Sequence, residues 1–363
     1  MTSSTANAVT PTILLWFTGL VMPLWDCIKP EHFGVINKLV FSGTFAISLF
    51  QSIGTIDLNS HNGVTIYAGV LATFLGAFLL IPFVFLFSPT RRWNWGTFAQ
   101  LNSSCTFPNA VVIGYPMITA LMANGGPYSY LAMLSKLLCL PLFIAFFELY
   151  RLIDCPKIAN IDEVVDMEKV TTVKPKLNAW SLTKKLLFAF STNPMIIGSV
   201  CGVIWLFIAA YCKDHYTLRH EWPYIVKSYF TYMANTTTPV GTIAIGVFTA
   251  LEIKKMYLDY KNKVTPPKDK AILGDYWAVL FILIFKNFIY PPWAAWIVSW
   301  FTKDQDTIYG NLIISAAPVA LIGFAFSTQY NYKPRVAAIA IVLNNFILFG
   351  TIPFCEKIKT AFY

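Results

Sequence analysis

Apolar residues run along this chain in ten long stretches, which short polar connections separate. Most of these stretches approach or exceed the ~20 residues with which an α-helix crosses a bilayer. Their approximate bounds are 11–28, 33–54, 63–87, 97–123, 127–151, 187–212, 224–251, 272–301, 308–330 and 334–358. The pattern therefore predicts an all-α polytopic membrane protein with ten transmembrane helices.

The longest polar stretch, 154–185, divides the ten apolar segments into two groups of five. We therefore expect a first five-helix repeat at 1–151, a loop at 152–186 and a second five-helix repeat at 187–363. No basic region precedes the first apolar segment, so a cleavable signal peptide is not expected.

An internal similarity supports this division. A shift of 198 residues lays 37–50 over 235–248 with six identities in fourteen positions, which pairs segment 2 with segment 7. Five helices are an odd number, so the second copy must insert upside down. Inverted repeats of this kind indicate alternating-access transporters. Chance similarity between two apolar helices is the alternative.

Composition and charge narrow the function class. Hydrophobic residues make up 56% of the 363 positions and charged residues only 12%, against about 25% charged residues in soluble domains. This excludes a soluble enzyme, a disordered chain and a disulfide-stapled secreted domain. The net charge of +9 does not indicate a nucleic-acid partner, because the basic residues lie between apolar segments.

The distribution of the 27 basic residues predicts the topology. The loops after segments 1, 3, 5, 7 and 9 hold 18 of them, and the opposite side holds 6. By the positive-inside rule, both termini are expected on the non-cytoplasmic side and the 152–186 loop in the cytoplasm.

Segments 4 and 9 both carry proline in mid-segment, at 106–116 and at 315–323. Proline breaks a helix, and freed backbone groups are tolerated at membrane depth only inside protein or beside a wet cavity. Corresponding breaks in two repeats predict a binding site near the membrane midplane. A pair of ordinary proline kinks is the alternative.

The residues at these breaks suggest the sign of the ligand's charge. We expect Pro116 and Pro318 each to open a second half-helix, since proline favours the first helical turn. The N-terminus of a half-helix presents free N–H groups and a partial positive charge, which suit a carboxylate. Asn109 adds an amide donor. The pattern favours an organic anion over a metal cation, and no cofactor or metal site is expected.

Two lysines, Lys136 and Lys286, lie within apolar segments. An ionisable group at that depth is a candidate for function, with snorkelling to an interface as the alternative. No acidic residue lies firmly in mid-span, so a carboxylate proton relay is not expected. Asn287, Asn344 and Asn345 are further candidates for a polar lining.

The same residues resemble the auxin efflux carrier family. Pro108-Asn109 through Gly114-Tyr115-Pro116 looks like that family's Asn-x4-Gly-x-Pro crossover motif. Four other stretches are similar to family positions in order and spacing, so that the resemblance covers about 11–358; they are 147–151, 192–198, 238–246 and 317–330.

This resemblance implies ten helices in two inverted repeats, with helices 1, 2, 6 and 7 as a scaffold. Helices 3–5 and 8–10 would form a moving transport domain in which broken helices 4 and 9 cross. An organic anion such as an indole carboxylate would then meet Asn109, Gly114, Pro116 and Pro318, and an elevator-type movement would export it. The short central loop favours an internal membrane such as the endoplasmic reticulum, with the plasma membrane as the alternative.

The chain also departs from the family pattern. Ala317 stands where bacterial relatives often have Met, and segment 3 lacks the acidic and basic pair of the plant carriers. A sodium-coupled symporter of the bile-acid type and a non-transporting membrane sensor therefore stay as alternatives, whereas an enzyme is not expected. The expected partners are a small organic anion and the lipid bilayer, and a homodimer is compatible with the pattern.

Overall fold

The computed structural model describes most of the chain as α-helix joined by turns. The described residues are 3–25, 27–54, 60–110, 114, 118, 121–122, 135–136, 138–154, 179–211, 224–261 and 270–362. Within these ranges the one β-type pairing is an isolated antiparallel bridge between Pro108 and Val319. The all-helical class predicted from the apolar pattern is confirmed.

Fifteen α-helices are numbered within the described ranges, and five of them directly adjoin one of three π-helical turns. The helices are α1 Ser3–Val21, α2 Pro30–Lys38, α3 Phe45–Gly54, α4 Ser60–Leu79, α5 Ile81–Phe87, α6 Trp95–Cys105, α7 Leu140–Leu149, α8 Ala179–Thr192, α9 Pro194–Tyr211, α10 Tyr224–Lys261, α11 Lys270–Ile284, α12 Tyr290–Ser299, α13 Gln305–Ala316, α14 Leu321–Gln329 and α15 Pro334–Phe362. The π-helical turns are Leu39–Thr44, Tyr150–Asp154 and Phe285–Ile289.

By length and composition alone, few of these helices could cross a membrane without a break. Within the described residues one does, at 274–299, and the number rises to three if two bent helix pairs each count as one span. One of those pairs is α4 with α5, which bend by 42° at Leu80; Pro82 stands in the first turn of α5. The predicted segment 3 is therefore a bent span.

Glycines allow two pairs of helices to pack with their backbones in contact. A Cβ atom on Gly19 of α1 would lie 2.1 Å from the Ile243 carbonyl oxygen in α10. A Cβ atom on Gly198 of α9 would lie 2.2 Å from the Ala46 carbonyl oxygen in α3. Small residues permit this close approach, which apolar helices in a membrane use for association.

The ends of several segments meet at one face of the molecule. Lys333 forms an ion pair with Asp275 at 2.7 Å, and the Tyr330 hydroxyl donates to Glu148 Oε1 at 2.6 Å. The Tyr332 hydroxyl lies 2.6 Å from Thr97 Oγ1. Each of these residues lies beside a connection that the charge distribution assigns to the cytoplasm.

Candidate functional site

The first break lies in segment 4, directly after α6. This helix ends at Cys105, and Pro108 lacks the N–H that would continue it. Residues 107–109 run outside the helix, with Pro108 in the bridge to Val319. Both α6 and this link are buried, including the polar side chains of Gln100 and Asn102.

The second break lies in segment 9, between α13 and α14. Ala317 has φ −55° and ψ 148°, the extended conformation that a residue before proline prefers. The helix therefore ends at Ala316 and restarts at Leu321, after an extended N-cap residue, Ala320.

The two breaks lie side by side and satisfy each other's backbone groups. The Asn109 N–H donates to the Pro318 carbonyl oxygen at 2.7 Å, and the Ala320 N–H donates to the Phe107 carbonyl oxygen at 3.3 Å. Buried backbone groups require partners, and a broken helix cannot supply them alone. Each broken segment therefore provides hydrogen bonds that the other has lost.

One sequence prediction about this site is wrong. Pro318 does not open the second half-helix of segment 9, because α14 begins three residues later. Pro318 ends the first half-helix through its effect on Ala317, and its carbonyl group accepts the bond from Asn109. Pro116, the other proline predicted to open a half-helix, lies outside the described residues.

Two side chains complete the break in segment 9. In an unbroken helix the Ser315 carbonyl would accept a hydrogen bond from the Val319 N–H. Instead, Lys286 Nζ donates to the Ser315 carbonyl oxygen at 2.8 Å, and the Val319 N–H donates to Asn344 Oδ1 at 3.0 Å. Lys286 and Asn344 thus replace the two halves of one helical hydrogen bond.

A buried amide network holds Asn344 in place. Its Nδ2 donates to Asn287 Oδ1 at 2.7 Å, and Thr351 Oγ1 donates to the same oxygen at 2.9 Å. Asn287 Nδ2 donates to the Leu283 carbonyl oxygen at 2.7 Å. Lys286 and Asn287 are neighbours on the π-helical turn 285–289, and π turns inside α-helices are frequent at functional sites.

Lys136 lies in a second polar group, at the hydroxyl of Tyr290. Its Nζ donates to Thr73 Oγ1 at 2.9 Å and to the Tyr290 hydroxyl at 2.7 Å. The Nζ atoms of Lys136 and Lys286 lie 5.0 and 5.1 Å from the Tyr290 ring centroid. Both lysines have no exposed surface.

The segments around these lysines contain no carboxylate. The sequence has no Asp or Glu in 58–147, 276–303 or 307–355. Since the two Nζ atoms lie about 5 Å from one centroid, at most about 10 Å separates them. Two ammonium ions at that distance repel by roughly 2 kcal/mol at an effective dielectric constant of about 20. The site is therefore electropositive whenever both amines are protonated.

The structure brings most of the predicted residues together. Gly114 packs against the end of α13, since a Cβ atom there would lie 3.4 Å from the Ala317 Cβ atom. The Gly114 N–H donates to the Asn109 carbonyl oxygen at 2.9 Å. The Asn109 side chain is 8% exposed, and its amide forms no hydrogen bond with a described residue. Lys286 joins this group through Ser315, whereas Tyr290 links Lys136 to Lys286.

Sequence reasoning missed Thr73 and Tyr290. Each carries a hydroxyl group within an apolar stretch. Neither the spacing of apolar residues nor a sequence motif distinguishes it from its neighbours. Only its distance from Lys136 reveals its place in the site.

Broken helices that exchange backbone hydrogen bonds inside an apolar helical protein are an arrangement found in membrane transporters. The chain belongs to the family described as "Membrane transport protein", the auxin efflux carrier family, which matches residues 5–355. It is 20% identical over 353 residues to auxin efflux carrier component 8 from Arabidopsis thaliana, covering 89% of this chain and 88% of the relative. The resemblance read from the motifs is confirmed: the protein is an integral membrane transporter and not an enzyme.

Proposed function

We propose that this protein is a secondary carrier that moves a small organic anion across a membrane by alternating access. The single observation that carries the proposal is the pair of buried lysines beside the helix crossover, in segments whose sequence contains no carboxylate. A buried cation is costly unless it is paired. An anion that binds and leaves supplies the missing counterion.

The proposed binding site lies at the crossover, around Asn109. The Asn109 amide offers two N–H donors, and Lys286 uses one of its N–H groups on Ser315, which leaves others for a ligand. Gly114 and Pro318 would shape the backbone around the anion. Charge-assisted bonds of this kind are the strong ones in anion recognition.

Ten helices in two inverted repeats form the proposed architecture. An offset of 209 residues carries Asn102 onto Asn311, Thr106 onto Ser315 and Gly114 onto Gly323. The first pair also shares its contacts, since each Nδ2 donates to the backbone carbonyl four residues earlier. The close glycine contacts of α1 with α10 and of α3 with α9 support the same repeat.

We further propose that both termini lie on the non-cytoplasmic side and that segments 3–5 and 8–10 move as one body. The contacts of Lys333, Tyr330 and Tyr332 with Asp275, Glu148 and Thr97 support a shared side for these segment ends. The excess of basic residues in the neighbouring connections makes the cytoplasm the proposed side. The endoplasmic reticulum is the proposed compartment, with the plasma membrane as the alternative, because the family resemblance associates a short central loop with internal membranes.

The name of the Arabidopsis relative makes an auxin the first substrate to test. Purified protein in liposomes is loaded with radiolabelled indole-3-acetate, and efflux is followed against protein-free liposomes. We expect Asn109→Ala to lower the protein-dependent rate by about 10-fold to 100-fold, since a hydrogen bond to a charged group contributes about 1.5–3 kcal/mol.

Asn345→Ala is the matched control, because Asn345 is an asparagine beside the amide network and not at the crossover. Both variants must elute as monodisperse protein with unchanged melting temperature. Wild-type flux in Asn109→Ala contradicts a site at the crossover. Failure of several carboxylates to move, including benzoate and fumarate, contradicts an organic-anion carrier.

A further inference from the structure

The hydrogen atoms around Lys136 can be assigned from the donors and acceptors present. The Thr73 hydroxyl donates to the Gly69 carbonyl oxygen at 2.9 Å, so Thr73 Oγ1 acts as an acceptor for its other neighbours. The Tyr290 hydroxyl lies 3.1 Å from that oxygen and therefore donates to it. Lys136 Nζ donates to both hydroxyl oxygens. These contacts use two N–H groups of the amine.

Two N–H groups are the full complement of a neutral amine, whereas an ammonium ion has three. A third N–H would have no partner among the described residues, and an unpartnered donor at a fully buried site is unfavourable. The contacts of Lys136 therefore match a neutral amine. The donor count does not decide the charge of Lys286, which has one hydrogen bond with a described residue. That bond is to a backbone carbonyl at a helix C-terminus, where a positive charge is favourable.

The groups facing the two amines include no acid. Thr73 of α4, Tyr290 of α12 and Cys139 face Lys136, and Cys105 of α6, Tyr290 and the Ser315 carbonyl face Lys286. The stretch 111–134, which precedes Lys136, also lacks acidic residues. No fixed negative charge from these segments offsets a second ammonium ion, so a bound anion is the compensating charge.

We propose that binding of the anion is linked to uptake of one proton by the Lys136 amine, so that the carrier moves the anion together with a proton. This inference rests on the proposed function. A proton from water adds to the lone pair of Lys136 Nζ and forms an ammonium ion, while the anion binds beside Lys286. When the anion leaves, the ammonium ion returns the proton to water. The contact of Lys286 with a helix C-terminus favours its charged form, which attracts the anion.

Calorimetric titration of the full-length protein in detergent tests this link. Indole-3-acetate is added at about pH 7 in phosphate and in Tris buffer, whose ionisation enthalpies differ, so the difference in heat counts the protons taken up. We expect up to one proton per anion in the wild type. Because binding takes up a proton, the Kd rises by up to about tenfold for each unit of increasing pH.

Lys136→Met removes the titrating amine and keeps most of its apolar volume. We expect this variant to bind the anion without proton uptake and with a Kd that does not change with pH. Lys303→Met is the matched control, since Lys303 is an exposed lysine just beyond the segment that holds Lys286, and it should behave like the wild type.

The outcomes separate this inference from the function on which it rests. Anion binding whose heat is the same in both wild-type buffers overturns the proton link and leaves the carrier intact; this comparison needs no variant to fold. Proton uptake that persists in Lys136→Met overturns the assignment to Lys136. Absence of binding with indole-3-acetate, benzoate and fumarate overturns the proposed function and the inference with it.

Discussion

Lys286 and Asn344 occupy the two ends of one missing helical hydrogen bond. Lys286 bonds to the carbonyl of Ser315, and Asn344 bonds to the N–H of Val319. The break in segment 9 is thus stabilised from segments 8 and 10, which the chain brings together only when it folds. A proline alone would end the helix and leave the freed backbone N–H and carbonyl groups without hydrogen-bond partners.

Asn344→Ala should destabilise the backbone at the break in segment 9 while both buried lysines stay in place. The Val319 N–H would lose its acceptor at a buried position, which costs about 1–3 kcal/mol. We expect a lower melting temperature and faster hydrogen exchange in the peptide that contains Val319. Asn345→Ala, one residue further along the same helix, should change neither. Equal exchange in the two variants would contradict the role of Asn344 at the break.

Tyr290→Phe should test the hydroxyl group that joins α4, α12 and Lys136. The ring and its packing stay, but Lys136 and Thr73 each lose a hydrogen-bond partner. We expect stability to fall by about 1–3 kcal/mol, measured as a shift in melting temperature. Tyr67→Phe is the control, because Tyr67 lies on the same helix as Thr73 and is 59% exposed; its melting temperature should stay that of the wild type. A Tyr290→Phe variant as stable as the wild type would show that this hydroxyl group contributes little.

Gly198→Ala should weaken the contact of α9 with α3. The new methyl group would lie 2.2 Å from the Ala46 carbonyl oxygen, so the two helices must separate, at a cost of about 1–3 kcal/mol. Gly274→Ala is the control, because nothing lies within 4 Å of a Cβ atom there, and alanine in a helix is about 1 kcal/mol better than glycine. Melting temperatures should therefore move in opposite directions.

Substitutions of Glu148 should distinguish the contribution of an ion pair to stability from that of a buried hydrogen bond. Glu148 Oε2 lies 2.9 Å from Arg151, whose side chain is 57% exposed, and such half-exposed pairs contribute at most about 1 kcal/mol. Glu148→Gln keeps an acceptor for the Tyr330 hydroxyl and should lower the melting temperature little. Glu148→Leu leaves that hydroxyl unpaired and should cost about 1–3 kcal/mol. Equal losses in the two variants would assign the stability to the ion pair, because both substitutions remove it.

The sequence located the break in segment 9 but misjudged how its proline acts. Proline is favourable in the first turn of a helix and also forces the residue before it into an extended conformation. Both effects fit the pattern around Pro318. The extended path of Ala317 and Val319 depends on bonds to Asn109 and Asn344, which lie far away in the chain.

The sequence by itself determined the helical membrane class, the family and the absence of acids around Lys136 and Lys286, because composition, periodicity and motif order need no partner to be read. Only the tertiary structure decided that the broken helices exchange hydrogen bonds and that Thr73 and Tyr290 face a lysine. These contacts join residues 63 to 217 positions apart. A pattern of apolar positions specifies which face of a helix is buried. It does not specify which side chains of other helices contact that face.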